Sequence, residues 1–139
     1  MGFSEAIRSG FANAFTFSGR APRREYWWWA LFQFLTLFAA AILDLLLWPD
    51  SARWMPFGGV LAGLVTVVLL VPTLAVSVRR LHDTDRSGWW YLLVFIPIVG
   101  AIVLLVFFLG QGTPGANRFG PPPRRTRSVS TLGPPPVHG

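Results

Sequence analysis

At 139 residues the chain favours a single domain, and it carries no cysteine. That excludes disulfides, thiolate metal sites and cysteine nucleophiles. Hydrophobic residues make up 53% and charged residues 13%, where soluble domains hold about 45–50% and about 25%. The 12 basic residues are all arginine and stand against 6 acids, a net +6; because they flank apolar runs, the excess points to anionic lipid headgroups rather than nucleic acid.

Taken in chain order, residues 3–17 place Phe3, Ile7, Phe11 and Phe15 at four-residue spacing, which predicts a short amphipathic helix lying in the membrane interface. The first 25 residues hold no continuous apolar core followed by a small-residue cleavage site. The run that begins at Tyr26 is therefore expected to act as an uncleaved anchor. It opens with Tyr26-Trp27-Trp28-Trp29, an aromatic belt suited to headgroup level. Extended to Trp48 it contains 23 residues, about 35 Å as a helix, against a hydrocarbon core of about 30 Å. Asp44 sits near its far end, a candidate intramembrane polar residue. Residues 57–78 form a second uncharged run, with Pro72 expected to kink it and Gly59 and Gly63 set for close helix approach.

Residues 79–90 read Arg-Arg-Leu-His-Asp-Thr-Asp-Arg-Ser-Gly-Trp-Trp. If the second helix continues through them, Arg79, His82, Asp83 and Arg86 share one face, with Arg79 and Asp83 spaced for an ion pair. Such a cluster serves either as a binding or proton-handling site or as a charged stop at the membrane edge. A third apolar run occupies 89–109, with Pro97 and Gly100 near its middle. It is either a kinked span of about 31 Å or a re-entrant hairpin. Three spans divide the arginines seven to five, whereas re-entry divides them eleven to one. The positive-inside rule thus favours re-entry and length favours spanning, with the N-terminus cytoplasmic in both cases. Three spans are the default expectation, because the length suffices and buried turns are uncommon. From residue 123 the Pro- and Arg-rich composition predicts a disordered tail beyond a membrane domain of 1–122.

Catalytic templates are absent: no Ser-His-Asp set, P-loop or zinc spacing occurs, and no cofactor is implied. Three blocks instead carry a family resemblance. They are Phe17-Ser-Gly-Arg-Ala-Pro-Arg-Arg-Glu-Tyr-Trp, then Pro72 with the 79–90 block, then Gly112-Thr-Pro-Gly-Ala-Asn-Arg-Phe-Gly-Pro. Together they make the chain resemble, over about residues 3 to 123, the domain of unknown function 805 family of small bacterial inner-membrane proteins. After Phe119 this chain reads Gly-Pro-Pro-Pro in place of the family's usual acidic Gly-Pro-Asp-Pro. The resemblance implies a multipass protein of the bacterial cytoplasmic membrane and supplies no reaction. It also singles out Arg20, Arg24, Arg79, Arg80, Arg86 and Arg118, with Glu25, His82 and Asp83. With Asp85 these form the candidate interfacial polar network, in which Glu25 is a candidate partner for Arg79 or Arg80.

The resulting expectation is an all-α integral membrane protein with an interfacial N-terminal helix and three hydrophobic segments, at about 26–48, 57–78 and 89–109. Its expected role is non-enzymatic, as a structural or interaction component meeting anionic lipid, a second copy or a membrane partner. A small oligomeric transporter or channel subunit is the alternative, resting on Asp44 and the Gly59/Gly63 pair. A lipid-headgroup enzyme using His82 and Asp83 is third.

Overall fold

In the computed structural model, which describes residues 2–50 and 58–123, the chain enters through a short helix and then runs up and down in two long ones. Helix α1 covers Phe3–Ala12, α2 Arg23–Leu47 and α3 Val60–Asp83. A 3-10 helix, Gly88–Phe95, and helix α4, Val99–Leu109, complete the order. Among the described residues the only β feature is an isolated bridge between Asn117 and Gly120.

Helix α1 lies across the start of α2 on its small residues. Ala6 and Gly10 are buried, and a Cβ on Gly10 would meet the Trp29 ring at 2.2 Å. Phe3 and Phe11 flank that contact, edge-on to Trp28 and Trp29 at 5.7 and 5.2 Å. The helix stops at Ala12, short of the expected residue 17. Asn13 ends it by turning its Nδ2 back to the Ser9 carbonyl at 2.9 Å. Phe15 therefore leaves the stripe and is exposed.

Helix α2 starts directly after Pro22, whose fixed φ suits a helix entry, and runs 25 residues. It packs along α3 through Trp29, Leu69 and Val76. The polar interruptions of both apolar runs are paired: Trp29 Nε1 donates to Thr73 Oγ1 at 3.1 Å, and that hydroxyl donates to Gln33 Oε1 at 3.1 Å. The outward faces stay apolar and uncovered. In the most apolar stretches of α2 and α3 only 11% and 33% of residues are buried, so both helices are long and apolar enough to cross a membrane and keep apolar faces that the described residues do not cover. Pro72 does not interrupt α3.

Asp44 has a structural task. It is buried in the last turn of α2, and its carboxylate accepts from Leu61 N at 2.9 Å and Ala62 N at 2.8 Å. It thus caps the N-terminus of α3 from the neighbouring helix, where orphan amides and the helix dipole favour an anion. A Cβ on Gly59 would stand 2.2 Å from the Asp44 carboxyl carbon, whereas one on Gly63 meets nothing within 4 Å. The glycine pair does not act as a unit; only Gly59 permits a close approach.

The third apolar run is not one helix. The 3-10 helix leaves the end of α3, the chain reverses at Ile96–Ile98, and α4 returns beside it. Trp90 meets the Phe107 ring edge-on at 5.7 Å, and a Cβ on Gly100 would lie 1.7 Å from the Leu93 carbonyl oxygen. The reversal is a γ-turn: Ile98 has φ 66 and ψ −66, and Val99 N donates to the Pro97 carbonyl at 2.7 Å. A left-handed β-branched residue is strained, at a cost of about 1–3 kcal/mol. Proline at the preceding position leaves the turn one amide fewer to satisfy. The third segment, expected over 89–109 as a kinked span or a re-entrant hairpin, is two helical pieces that part at Pro97, and the glycine contact lets the two halves pack against each other.

The Asp44 cap yields a contrast of single substitutions. Asp44→Ala lowers stability by about 1–2 kcal/mol, the cost of a lost N-cap, and Gly59→Ala destabilises through its clash while Gly63→Ala is neutral. Thermal unfolding in detergent measures all three, and equal effects of the two glycine variants would refute the assignment.

Candidate interfacial polar network

The last turn of α3 carries Arg79, Arg80, Leu81, His82 and Asp83, all buried. Between them the five reach three segments: Arg79 meets the first turn of α2, Arg80 and Leu81 the end of α4, and His82 and Asp83 the connection between α1 and α2. Leu81 goes to an apolar cluster with Leu104 and Phe108. The four polar side chains join the rest of the chain.

Arg79 Nη1 donates to Glu25 Oε1 at 3.0 Å, and the same oxygen accepts from Ser9 Oγ at 2.8 Å. One carboxylate oxygen thus joins α1, α2 and α3. The backbone adds a link, with Ala21 N donating to the Arg79 carbonyl at 2.9 Å. Asp83 is held on both sides. Its Oδ1 accepts from Arg20 Nε at 2.9 Å and its Oδ2 from Arg80 Nη1 at 2.6 Å. A Cβ on Gly112 would collide with the same carboxylate, at 2.1 Å from Oδ2, so glycine is what lets the returning chain pass there.

Arg80 and Arg20 extend the network to that returning chain. Arg80 Nη2 donates to the carbonyls of Phe108, at 3.1 Å, and Gly110, while Arg23 Nη1 reaches the Leu109 carbonyl at 3.0 Å. These are orphan carbonyls at the C-terminus of α4, where cations are favoured. Arg20 donates to the carbonyls of Thr113 at 2.5 Å and Gly115 at 2.7 Å. Its side chain is 1% exposed and that of Arg80 is 0% exposed. Three buried guanidiniums, from Arg20, Arg79 and Arg80, thus face two buried carboxylates, from Glu25 and Asp83. The negative end of α4 offsets part of the excess cation.

His82 closes the remaining side. Its Nδ1 lies 3.1 Å from the Gly19 carbonyl, and its ring stacks on Phe119 at 3.9 Å and 2°. Asn117 Nδ2 donates to the His82 carbonyl at 2.9 Å, and Thr113 N to the Asp83 carbonyl at 2.8 Å. Residues 113–119 therefore dock on the turn of α3 that precedes the hairpin.

The structure divides the expected network. Arg20, Glu25, Arg79, Arg80, His82 and Asp83 come together. Arg118 pairs with Asp85 at 3.2 Å on the exposed rim, where such a pair contributes about 0–1 kcal/mol. Arg86 lies with its guanidinium 3.9 Å from the centre of the Phe107 ring. Arg24 is exposed, without a hydrogen bond or ion pair among the described residues. The expected Arg79–Asp83 pair does not form, and Arg86 does not share a face with them. The helix ends at Asp83 in a Schellman turn, with Asp85 N bonded to the His82 carbonyl at 3.0 Å and Arg86 N to the Leu81 carbonyl at 2.9 Å. Asp85 takes the left-handed position, φ 58. Ser9, Gly19, Gly112, Thr113, Asn117 and Phe119 were not singled out as network members; the Gly112–Pro121 block held four of them.

A two-helix apolar bundle sealed at one end by buried arginine–carboxylate pairs defines a small helical membrane-protein class. The chain belongs to the family described as protein of unknown function (DUF805), whose model matches residues 14–121. It is similar to the inner membrane protein YhaH of Escherichia coli strain K12, 43% identical over 81% of this chain and 90% of the relative. The inner membrane protein YhaI of the same strain is 44% identical over 81% and 89%, and the uncharacterized protein YiiR is 33% identical over 76% and 84%. No solved structure matches.

Substitutions at the two acidic sites separate the buried pairs from the rim. Asp83→Asn strands two covered guanidiniums and costs about 3–5 kcal/mol, while Asp85→Asn costs less than about 1 kcal/mol. Denaturation of both variants in the same micelles measures the difference, and a tolerant Asp83→Asn would remove the network's structural role.

Proposed function

We propose that this chain is a non-enzymatic component of the bacterial cytoplasmic membrane, with two spanning helices and a re-entrant hairpin locked at one face by the arginine–carboxylate network. The observation that carries this reading is the bond from Thr113 N to the Asp83 carbonyl at 2.8 Å. The chain leaves α3 at Thr84 and is back beside it by Thr113. Eight 3-10 residues and 11 α-helical residues each rise about 16 Å, roughly half of a hydrocarbon core of about 30 Å. The tip is apolar and exposed, with Phe95 at 78% and Ile98 at 76%.

Irregular backbone at that depth must satisfy itself. Ile96 N donates to Leu93, Val99 N to Pro97 and Gly100 N to Ile96. Charge agrees with this placement. Among the described residues eight arginines stand with the N-terminus, the 84–87 turn and the segment after α4, and none stands with the far ends of α2 and α3. The positive-inside rule then puts the N-terminus and residues 110–123 in the cytoplasm.

The side chains that acid–base chemistry would need are engaged elsewhere. Both Asp83 oxygens hold guanidiniums, and the His82 ring is stacked on Phe119. Asp44, on which an ion-path reading would rest, spends both oxygens on α3 amides. The network therefore supports a scaffold whose ordered cytoplasmic face, made from four separated stretches of chain, meets lipid or a partner.

The cysteine-free chain makes the topology directly testable. Single cysteines at Ser4, Asp50 and Gly115 are labelled with an impermeant thiol reagent in intact and opened cells. Ser4→Cys and Gly115→Cys react only after opening, and Asp50→Cys reacts in intact cells. Joint labelling of Asp50→Cys and Gly115→Cys in intact cells would mean three spans and overturn the hairpin.

A further inference from the structure

A groove of about 650 Å³ opens beside the network, between the first turns of α2 and the end of α4. Arg23, Arg24, Trp27, Trp28, Leu31 and Leu109 line it. Its volume falls within the about 300–1,000 Å³ typical of small-ligand sites. The i, i+4 spacing stacks Trp27 under Arg23 and Trp28 under Arg24, with Leu31 a turn deeper below Trp27. The lining is thus graded, with two cations at the mouth and aromatic and aliphatic side chains below.

Two observations set the chemistry of its occupant. No acid lines the groove; the adjacent Glu25 is buried on another side of α2 with Arg79 and Ser9. Arg24 has no protein partner among the described residues, and Arg23 bridges the mouth to the Leu109 carbonyl.

We infer that this groove is a binding site for an anionic phospholipid. The phosphate sits at Arg23 and Arg24, and an acyl chain runs down past Trp27, Trp28 and Leu31. The apolar depth selects a lipid over a soluble anion, and two cations without a counter-acid select a net-negative headgroup over a zwitterionic one. The site deepens the proposed membrane reading, because the occupied groove would brace α4, and with it the returning arm of the hairpin, against α2. It depends on that reading only for the height of the headgroups, so labelled topology and lipid preference fail independently.

Native mass spectrometry of the full chain released from micelles containing equal phosphatidylglycerol and phosphatidylcholine reads the site directly. The wild type retains phosphatidylglycerol preferentially, and Arg24→Gln weakens that retention about fivefold, as expected for about 1 kcal/mol per arginine. Arg8→Gln, an exposed arginine outside the groove, is the charge-matched control and leaves retention unchanged. Equal losses in both variants would show diffuse surface attraction and overturn the site. Competition by soluble glycerol phosphate at matched concentration would do the same, by showing that the chain contributes nothing. Should Arg24→Gln fail to fold, the wild type still decides through tryptophan quenching: phosphatidylglycerol brominated near the top of its chains must quench more than its phosphatidylcholine counterpart, and equal quenching refutes the inference.

Discussion

The carboxylate of Asp83, clamped between Arg20 and Arg80, is the contact on which the rest of the structure depends. Arg20 belongs to the connection between α1 and α2, Arg80 to α3, and through their remaining donors both hold the segment that follows α4, at Thr113 and Gly110. A single side chain therefore fixes where the N-terminal segment, the long hairpin of α2 and α3, and the short hairpin of the third apolar run meet. The bonds from Arg80 to the Phe108 carbonyl and from Asn117 to the His82 carbonyl reinforce the same return of α4 to the end of α3.

Arginine suits this task for physical reasons. Its guanidinium stays charged, spreads five donors in a planar fork and is less strongly hydrated than an ammonium. Arg80 uses that fork to reach a carboxylate and two helix-terminal carbonyls at once. A lysine could match the charge but not the number of directed bonds. Buried pairs of this kind add little net stability over an apolar replacement but punish the loss of one partner. They are better understood as specifying an arrangement, here a single way for the third apolar run to close, than as a source of stability. The acidic cap from Asp44 applies the same logic at the opposite end of the bundle, where α3 begins.

How much of this was legible in the sequence follows from the range of the interactions involved. The two long helices were readable because uncharged runs of sufficient length are local signals, and the arginine-rich block was readable because it interrupts them. The resemblance also marked six residues that the structure brings into one buried cluster. Glu25 stood out as a partner for Arg79 or Arg80, but nothing in the sequence chose among the pairings. Helical spacing offered Asp83 to Arg79, yet Glu25, 54 residues away, won because the first turn of α2 packs beside that face of α3. The third run was ambiguous for a definite reason: Pro97 and Gly100 are compatible with a kinked span and with a reversal, and the γ-turn at Ile98 depends on a tertiary contact at Gly100. Asp44 was visible, but its role required knowing that Gly59 brings the start of α3 against it. Positions 51–57 lie outside the described residues, as does the tail expected to be disordered from 123, apart from residue 123 itself.

The proposed scaffold requires that the third apolar run return to the membrane face it left. Its most direct test is the distance between spin labels at Ser87→Cys and Gln111→Cys, measured by dipolar spectroscopy on the otherwise cysteine-free protein in a lipid bilayer. The hairpin predicts a separation well short of the hydrocarbon thickness of about 30 Å. A separation of about 30 Å or more would mean that the run crosses the membrane, and that the Asp83 network does not close a hairpin.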